Sequence, residues 1–182
     1  MLQKGRFSLC GFTLIELLVV IAILGILSTI GIGSFLSSQM KSRDARRKTD
    51  LKNIAIVLET YYNDKNSYPT ASSGKIVGCG AAGTEPCSWG QEWAGNGALY
   101  MAVLPDDSSA YNYTYVSDGV SYALYARLEN TGDPKAAKVG DVPGGYTGII
   151  CEGTTTRCNY VVASSNATLP GIVADGSEDP EE

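Results

Sequence analysis

From residue 17 to residue 36 the chain carries twenty residues without a charge, enough to cross the hydrocarbon core of a bilayer as a helix. After residue 40 the pattern changes. Leu51, Ile54, Ala55, Leu58, Tyr61 and Tyr62 recur at i, i+3, i+4 and i+7 spacing, which marks a helix with one apolar face. No proline precedes Pro69, and "NDKNSYP" then supplies the polar residues and the proline that stop a helix. The pattern predicts one helix over residues 13–62, roughly 75 Å long at 1.5 Å per residue. Its first half is apolar all round and its second half is amphipathic. Gly25, Gly31 and Gly33 each weaken the first half by about 1 kcal/mol relative to alanine, which suits a helix that packs tightly or melts locally.

Residues 64–110 read as a long connection rich in Gly, Ser, Asn and Ala, with "ALYMAVLP" as a short helix. "YNYTYVSDGVSYALYARLE" reads as two alternating strands around Asp118-Gly119, a two-residue hairpin signal. Tyr111, Tyr113 and Tyr115 share one face of the first strand; Tyr122, Leu124, Ala126 and Leu128 share one face of the second. "CNYVVAS" supplies a third strand. A hairpin alone is marginal, so the amphipathic half of the helix is its natural partner. The expected class is α+β: a long N-terminal helix packed on a small antiparallel sheet of about three strands. The tail from Asp175 has no apolar content and is expected to be disordered.

Charge sharpens this division. The 182-residue chain has a net charge of −5 and no histidine, which removes the commonest general base and metal ligand. It has no GxxxxGK[ST] loop and no GxGxxG after a strand. Nothing in it reads as catalytic. The run "KSRDARRKTDLK" holds Lys41, Arg43, Arg46, Arg47, Lys48 and Lys52 against Asp44 and Asp50, whereas from Ser67 onward 14 acidic residues face 5 basic ones. An acidic head argues against nucleic acid as its partner, since phosphate binding requires clustered Lys and Arg. The basic run reads as helix charges that pair within or between chains, or that touch phosphates.

Five cysteines occur, at 10, 79, 87, 151 and 158. Neither local pair has zinc spacing, and no histidine could complete a zinc site. Two short-loop disulfides in an extracytoplasmic domain account for the last four, against the alternative of buried thiols in a cytoplasmic protein. Cys79 with Cys87 and Cys151 with Cys158 is the simplest of the three connectivities.

The start, "MLQKGRFSLCG", carries Lys4 and Arg6. A secretory signal peptide would have a shorter apolar core and a small-x-small cleavage site; neither is present, so the segment stays as an anchor. "GFTLIELLVVIAILGIL" resembles the signature of type IV pilins and pseudopilins: a basic leader ending in glycine, then Phe, then glutamate five residues after the cut. "DARRKTDLKNIAIVLETYYNDKNSYP" resembles the second half of the long helix in major pseudopilins of type II secretion and related pilins. The resemblance covers about the first 70 residues.

It implies a leader at 1–11, a hydrophobic transmembrane and filament-core helix at 12–40, an amphipathic half at 41–63, a globular head at 64–174 and an acidic tail at 175–182. It implies cleavage between Gly11 and Phe12 by prepilin peptidase, N-methylation of Phe12, and assembly into a helical filament of identical subunits by a membrane platform and a cytoplasmic ATPase. The expected location is the cytoplasmic membrane first, then an extracytoplasmic or cell-surface filament. Gly33, flanked by Gly31, stands where many pilins have a helix-melting proline. Heads of this kind often bind calcium; Asp106, Asp107 and Asp118 stay unassigned, and no other cofactor is implied.

Glu16 ties these readings together. A carboxylate in lipid costs roughly 2.5–3.5 kcal/mol at a helix centre unless it is paired, and no Lys, Arg or His lies between Phe12 and Gln39. Either Glu16 reaches headgroups from the segment's end, or it pairs with the amine that cleavage creates on a neighbouring subunit's Phe12. The alternative function is a single-pass membrane protein whose head binds a partner and never polymerises. Counting positive charges favours a cytoplasmic neck, six cations against two in the leader; the filament family requires the opposite orientation, and the motif is the more specific signal.

Overall fold

The computed structural model describes residues 11–107, 111–152 and 156–176, without the side chains of 29–34 and 152. The chain divides into two compact units between Met40 and Lys41, each described here by itself. One helix, α1 (Leu14–Lys65), runs through both. It ends as the expected stop signals require: Asn66 takes the left-handed conformation (φ 57°) and its N–H donates to the Tyr62 carbonyl at 2.7 Å, the hydrogen bond of an αL cap.

In the first unit the large apolar side chains described on the helix are exposed all round, among them Ile15, Leu18, Ile21 and Leu24. Among the described residues no helix is long and apolar enough to cross a membrane; the side chains described there stop at Ser28 and resume at Phe35, so the uncharged run of the sequence is not covered whole. Of the leader expected at 1–11, residues 1–10 lie outside the described residues.

The second unit holds thirteen short strands among the described residues: β1 (Ala71–Ser72), β2 (Lys75–Cys79), β3 (Glu85–Pro86), β4 (Trp93–Gly95), β5 (Ala98–Met101), β6 (Thr114–Ser117), β7 (Tyr122–Ala126), β8 (Lys138–Val139), β9 (Val142–Tyr146), β10 (Ile150–Glu152), β11 (Thr156–Arg157), β12 (Tyr160–Ala163) and β13 (Ile172–Ala174). The central sheet is antiparallel in the order β12-β7-β6. It is the three-stranded sheet that the sequence predicts. Leu51, Ile54 and Leu58 of α1 are fully buried with Tyr115, Leu124 and Leu128 in one core. Each such side chain contributes roughly 1.5–3 kcal/mol through burial.

The hairpin strand β7 is buried on both faces, not one. Ala123 and Tyr125 join Ala137, Tyr146, Cys151 and Cys158 in a second cluster, because β8–β11 fold back over the side of the sheet away from α1. The turn before β7 is also longer than expected. Ser117 pairs with Tyr122, leaving four residues between them, and Asp118 Oδ1 accepts hydrogen bonds from the Val120 and Ser121 N–H groups at 2.9 and 2.7 Å. This Asx-type closure favours the longer loop.

"ALYMAVLP" is no helix: its first four residues are β5, paired with β4 across Asn96-Gly97. Both turn residues have positive φ, 51° and 77°, as a type I′ hairpin needs. So short an apolar run cannot meet the cost of nucleating a helix. The 64–110 connection thus contains β1–β5. Asp175, placed in the tail by sequence, is bound to Arg127 at 2.6 Å; residues 177–182 lie outside the described residues.

Candidate functional site

Two places gather the functional residues, one in each unit. At the start of α1, Thr13 and Glu16 cap the helix reciprocally. Glu16 Oε2 accepts from the Thr13 N–H at 2.8 Å and from the Thr13 hydroxyl at 2.7 Å, while Thr13 Oγ1 accepts from the Glu16 N–H at 3.3 Å. This is a capping box, with the carboxylate at the positive end of the helix dipole. Phe12 and Glu16 lie with Ile15, Val19 and Val20 around one shallow concavity, and Gly11 precedes them in an open, non-helical backbone. Glu16 is therefore hydrogen-bonded within its own chain, though not charge-neutralised. Thr13-x-x-Glu16 is a capping signature legible in sequence, one that gives Glu16 hydrogen-bond partners without a counter-charge.

The second place is where the neck helix meets the head. The Arg47 side chain is only 2% exposed, beside the equally enclosed Asp44. Its Nη1 donates to Asp44 Oδ1 at 2.8 Å and its Nε to Asp107 Oδ2 at 2.6 Å, and Nη2 meets Glu129 Oε1 at 2.8 Å. Arg43 grips Glu129 through Nε and Nη2, and Lys48 meets Asp133 at 2.5 Å. Asp44 also accepts the Glu129 and Asn130 N–H groups at 2.9 and 2.8 Å. Burial opposes the Arg47 charge, but the hydrogen bonds to Asp107 and Glu129 hold its pKa above the ordinary guanidinium value. The hydrogen bond from Arg43, helped by Arg47 and opposed by partial burial, pushes the Glu129 carboxyl down to about 2. The basic run thus meets head acids within the chain.

The aromatic face does related work. The Tyr113 hydroxyl donates to Asp50 at 2.9 Å and that of Tyr115 to the Pro69 carbonyl at 2.8 Å. Tyr68 and Tyr122 both donate to Glu59. Tyr111 stands beside the Arg47 guanidinium, 5.6 Å from ring centroid to Cζ.

The four head cysteines are joined as Cys79–Cys87 and Cys151–Cys158, each with S–S 2.02 Å. Asp107 is taken by Arg47, Asp118 closes its own turn, and Asp106 borders an open cavity of 540 Å³ beside Lys75 and Trp89. Among the described residues no group of three or more His, Cys, Asp or Glu could hold a metal ion.

A capped apolar helix that continues into a small α+β head defines the type IV pilin-like class. Residues 9–32 match the prokaryotic N-terminal methylation motif, and residues 34–135 match type II secretion system protein G. The chain belongs to the type II secretion system protein G family. It is 30% identical over 138 residues to the type II secretion system core protein G of Pseudomonas aeruginosa, a match spanning 72% of this chain and 93% of that one. The core protein G of Aeromonas hydrophila is 32% identical over 120 residues, 65% of this chain and 78% of the relative. A shorter match, 41% over 58 residues, is to the type IV major pilin protein PilA of Myxococcus xanthus, covering 32% of this chain and 26% of that pilin. No solved structure matches the chain.

Proposed function

We propose that the chain is a structural subunit of a type II secretion pseudopilus, cut between Gly11 and Phe12 by a prepilin peptidase and methylated at Phe12. It is anchored in the cytoplasmic membrane by its apolar helix, then drawn by an inner-membrane platform and a cytoplasmic ATPase into an extracytoplasmic filament. It is not an enzyme in this reading. The observation that carries the proposal is the junction of the methylation motif, whose carboxylate caps an exposed apolar helix, with a head matched to protein G as far as residue 135. The pilus reading has support from the pilin match alone, which covers about a quarter of that protein.

Glu16 is the residue on which assembly turns. Among the described residues its carboxylate sits at the helix start bonded to the neutral Thr13, so a second subunit's Phe12 amine can neutralise it, and a misdocked subunit leaves two charges unpaired in lipid. The pair therefore sets register as well as cohesion. The head-outward orientation agrees with the neck cations: Arg43, Arg46, Arg47 and Lys48 are each paired with a carboxylate.

Glu16→Ala and Glu16→Gln are expected to be processed and membrane-inserted yet to form few filaments. Electron-microscopic filament counts beside a blot for processed subunit test this. Normal filament yield from both variants would return Glu16 to a capping residue alone, and an N-terminus beginning at Met1 in recovered filaments would remove the processing step.

A further inference from the structure

The open cavity of 540 Å³ beside Asp106 has walls from four parts of the chain. Ser73 and Lys75 come from the β1–β2 hairpin, Ser88 and Trp89 from the segment after β3, Asp106 from the segment after β5 and Asn112 from the approach to β6. Backbone hydrogen bonds hold each wall in place. The Tyr115 N–H donates to the Gly74 carbonyl at 2.8 Å, the Gly90 N–H to the Leu104 carbonyl at 2.9 Å and the Asn112 N–H to the Cys151 carbonyl at 2.8 Å. Both disulfides border the cavity, since Ser88 follows Cys87 and Cys151 itself lines the wall. A preformed hollow of this volume is in the range of small-ligand sites, roughly 300–1,000 Å³.

Its polar groups are uncommitted. Among the described residues, the side chains of Ser73, Lys75, Ser88, Asp106 and Asn112 make no hydrogen bond or ion pair, whereas Asp44, Asp107 and Glu129 each meet a cation. Lys75 and Asp106 carry opposite charges, so the lining has no net charge to select an ion. Donors and acceptors set side by side suit hydroxyl groups, which both donate and accept. The apolar wall is Trp89, half-buried and braced edge-to-face by the buried Tyr113 at 5.8 Å between ring centroids. An aromatic ring among free polar groups matches a sugar, which has an apolar C–H face and a rim of hydroxyls. A peptide fits less well. Strand addition requires a free sheet edge, and the β6 N–H of Tyr115 is already bonded to Gly74.

We propose that this cavity binds a neutral sugar residue of a glycan, with the ring against Trp89 and its hydroxyls on Lys75, Asp106 and Asn112. Such binding is a property of the head and is separate from filament assembly.

The test is isothermal titration calorimetry of the full chain in micelles of octaethylene glycol monododecyl ether, a detergent without sugar. The probes are cellotetraose, maltotetraose and N-acetylchitotetraose, and the last separates an aminosugar glycan from a plain hexose one. At least one is expected to bind with a dissociation constant of about 1 mM or tighter. Asp106→Ala is expected to weaken that binding at least about tenfold at an unchanged melting temperature, because its carboxylate has no partner to lose among the described residues. Trp89→Ala is expected to abolish binding; should it not fold, Lys75→Ala takes its place beside Asp106→Ala. Failure of all three sugars to bind overturns the proposal, as does an affinity that neither Asp106→Ala nor Lys75→Ala changes. A loss seen only in variants whose melting temperature falls also overturns it. So does preference for free glycine, whose two charges would match Lys75 and Asp106, over every sugar.

Discussion

At the scale of single residues, the buried charges decide more than the apolar ones. Glu129 accepts from Arg43 and Arg47, and its carboxyl is held down to about 2, against an ordinary value of 4.5. A depressed carboxyl contributes stability that is fully present above its ordinary pKa and is lost as the pH falls through the folded value. The window is therefore about pH 5 down to pH 2, and the contribution is up to about 3 kcal/mol. Melting temperatures of wild type and Glu129→Gln should differ at pH 7 and converge as the pH approaches 2. Parallel curves across that range would show that the Arg43 and Arg47 contacts do not set the acid sensitivity of the head.

At the scale of elements, α1 holds the head through one face, with Leu51, Ile54 and Leu58 at its centre and Ala55, Val57, Tyr61 and Tyr62 packed at its margins. Leu51, Ile54 and Leu58 are each 0% exposed, while Ile56, on the opposite side of the helix, is 66% exposed. Leu58→Asp would place an unpaired carboxylate against the central sheet. A loss of roughly 3 kcal/mol or more is expected, read as a lower urea midpoint at unchanged slope. An unchanged midpoint would mean that the sheet packs on another face. The strands around Trp93 depend instead on close backbone approach. A Cβ on Gly95 would lie 2.0 Å from the Gly78 carbonyl oxygen, so this strand can pass its neighbour only with glycine at position 95.

At the scale of the whole molecule, the division between Met40 and Lys41 separates an apolar helix from a unit with its own two hydrophobic clusters and both disulfides. Removing residues 1–40 should therefore leave a soluble, cooperatively folding α+β head. Analytical ultracentrifugation and circular dichroism check this. A molten or aggregated product would show that the apolar half is needed for the head's fold.

Periodicity was sufficient for α1, because a 3.6-residue repeat without proline and a stop at Asn66 are local properties of the chain. The two strands around Asp118-Gly119 were legible in the same way, though their four-residue turn was not, and so was the motif from Gly11 to Glu16, whose cleavage, methylation and pairing roles remain the proposal made above. The small sheets of residues 71–101 were not legible, since their strands are two to five residues long and their stability comes from partners distant in sequence. The Ser73-Gly74 and Asn96-Gly97 turns, each with both residues at positive φ, were local signs of them. Which acids would meet Arg47 could not be read either. Asp107 and Glu129 lie 60 and 82 residues away along the chain, and ion pairing acts through space, so only the packed head could choose them from its many carboxylates.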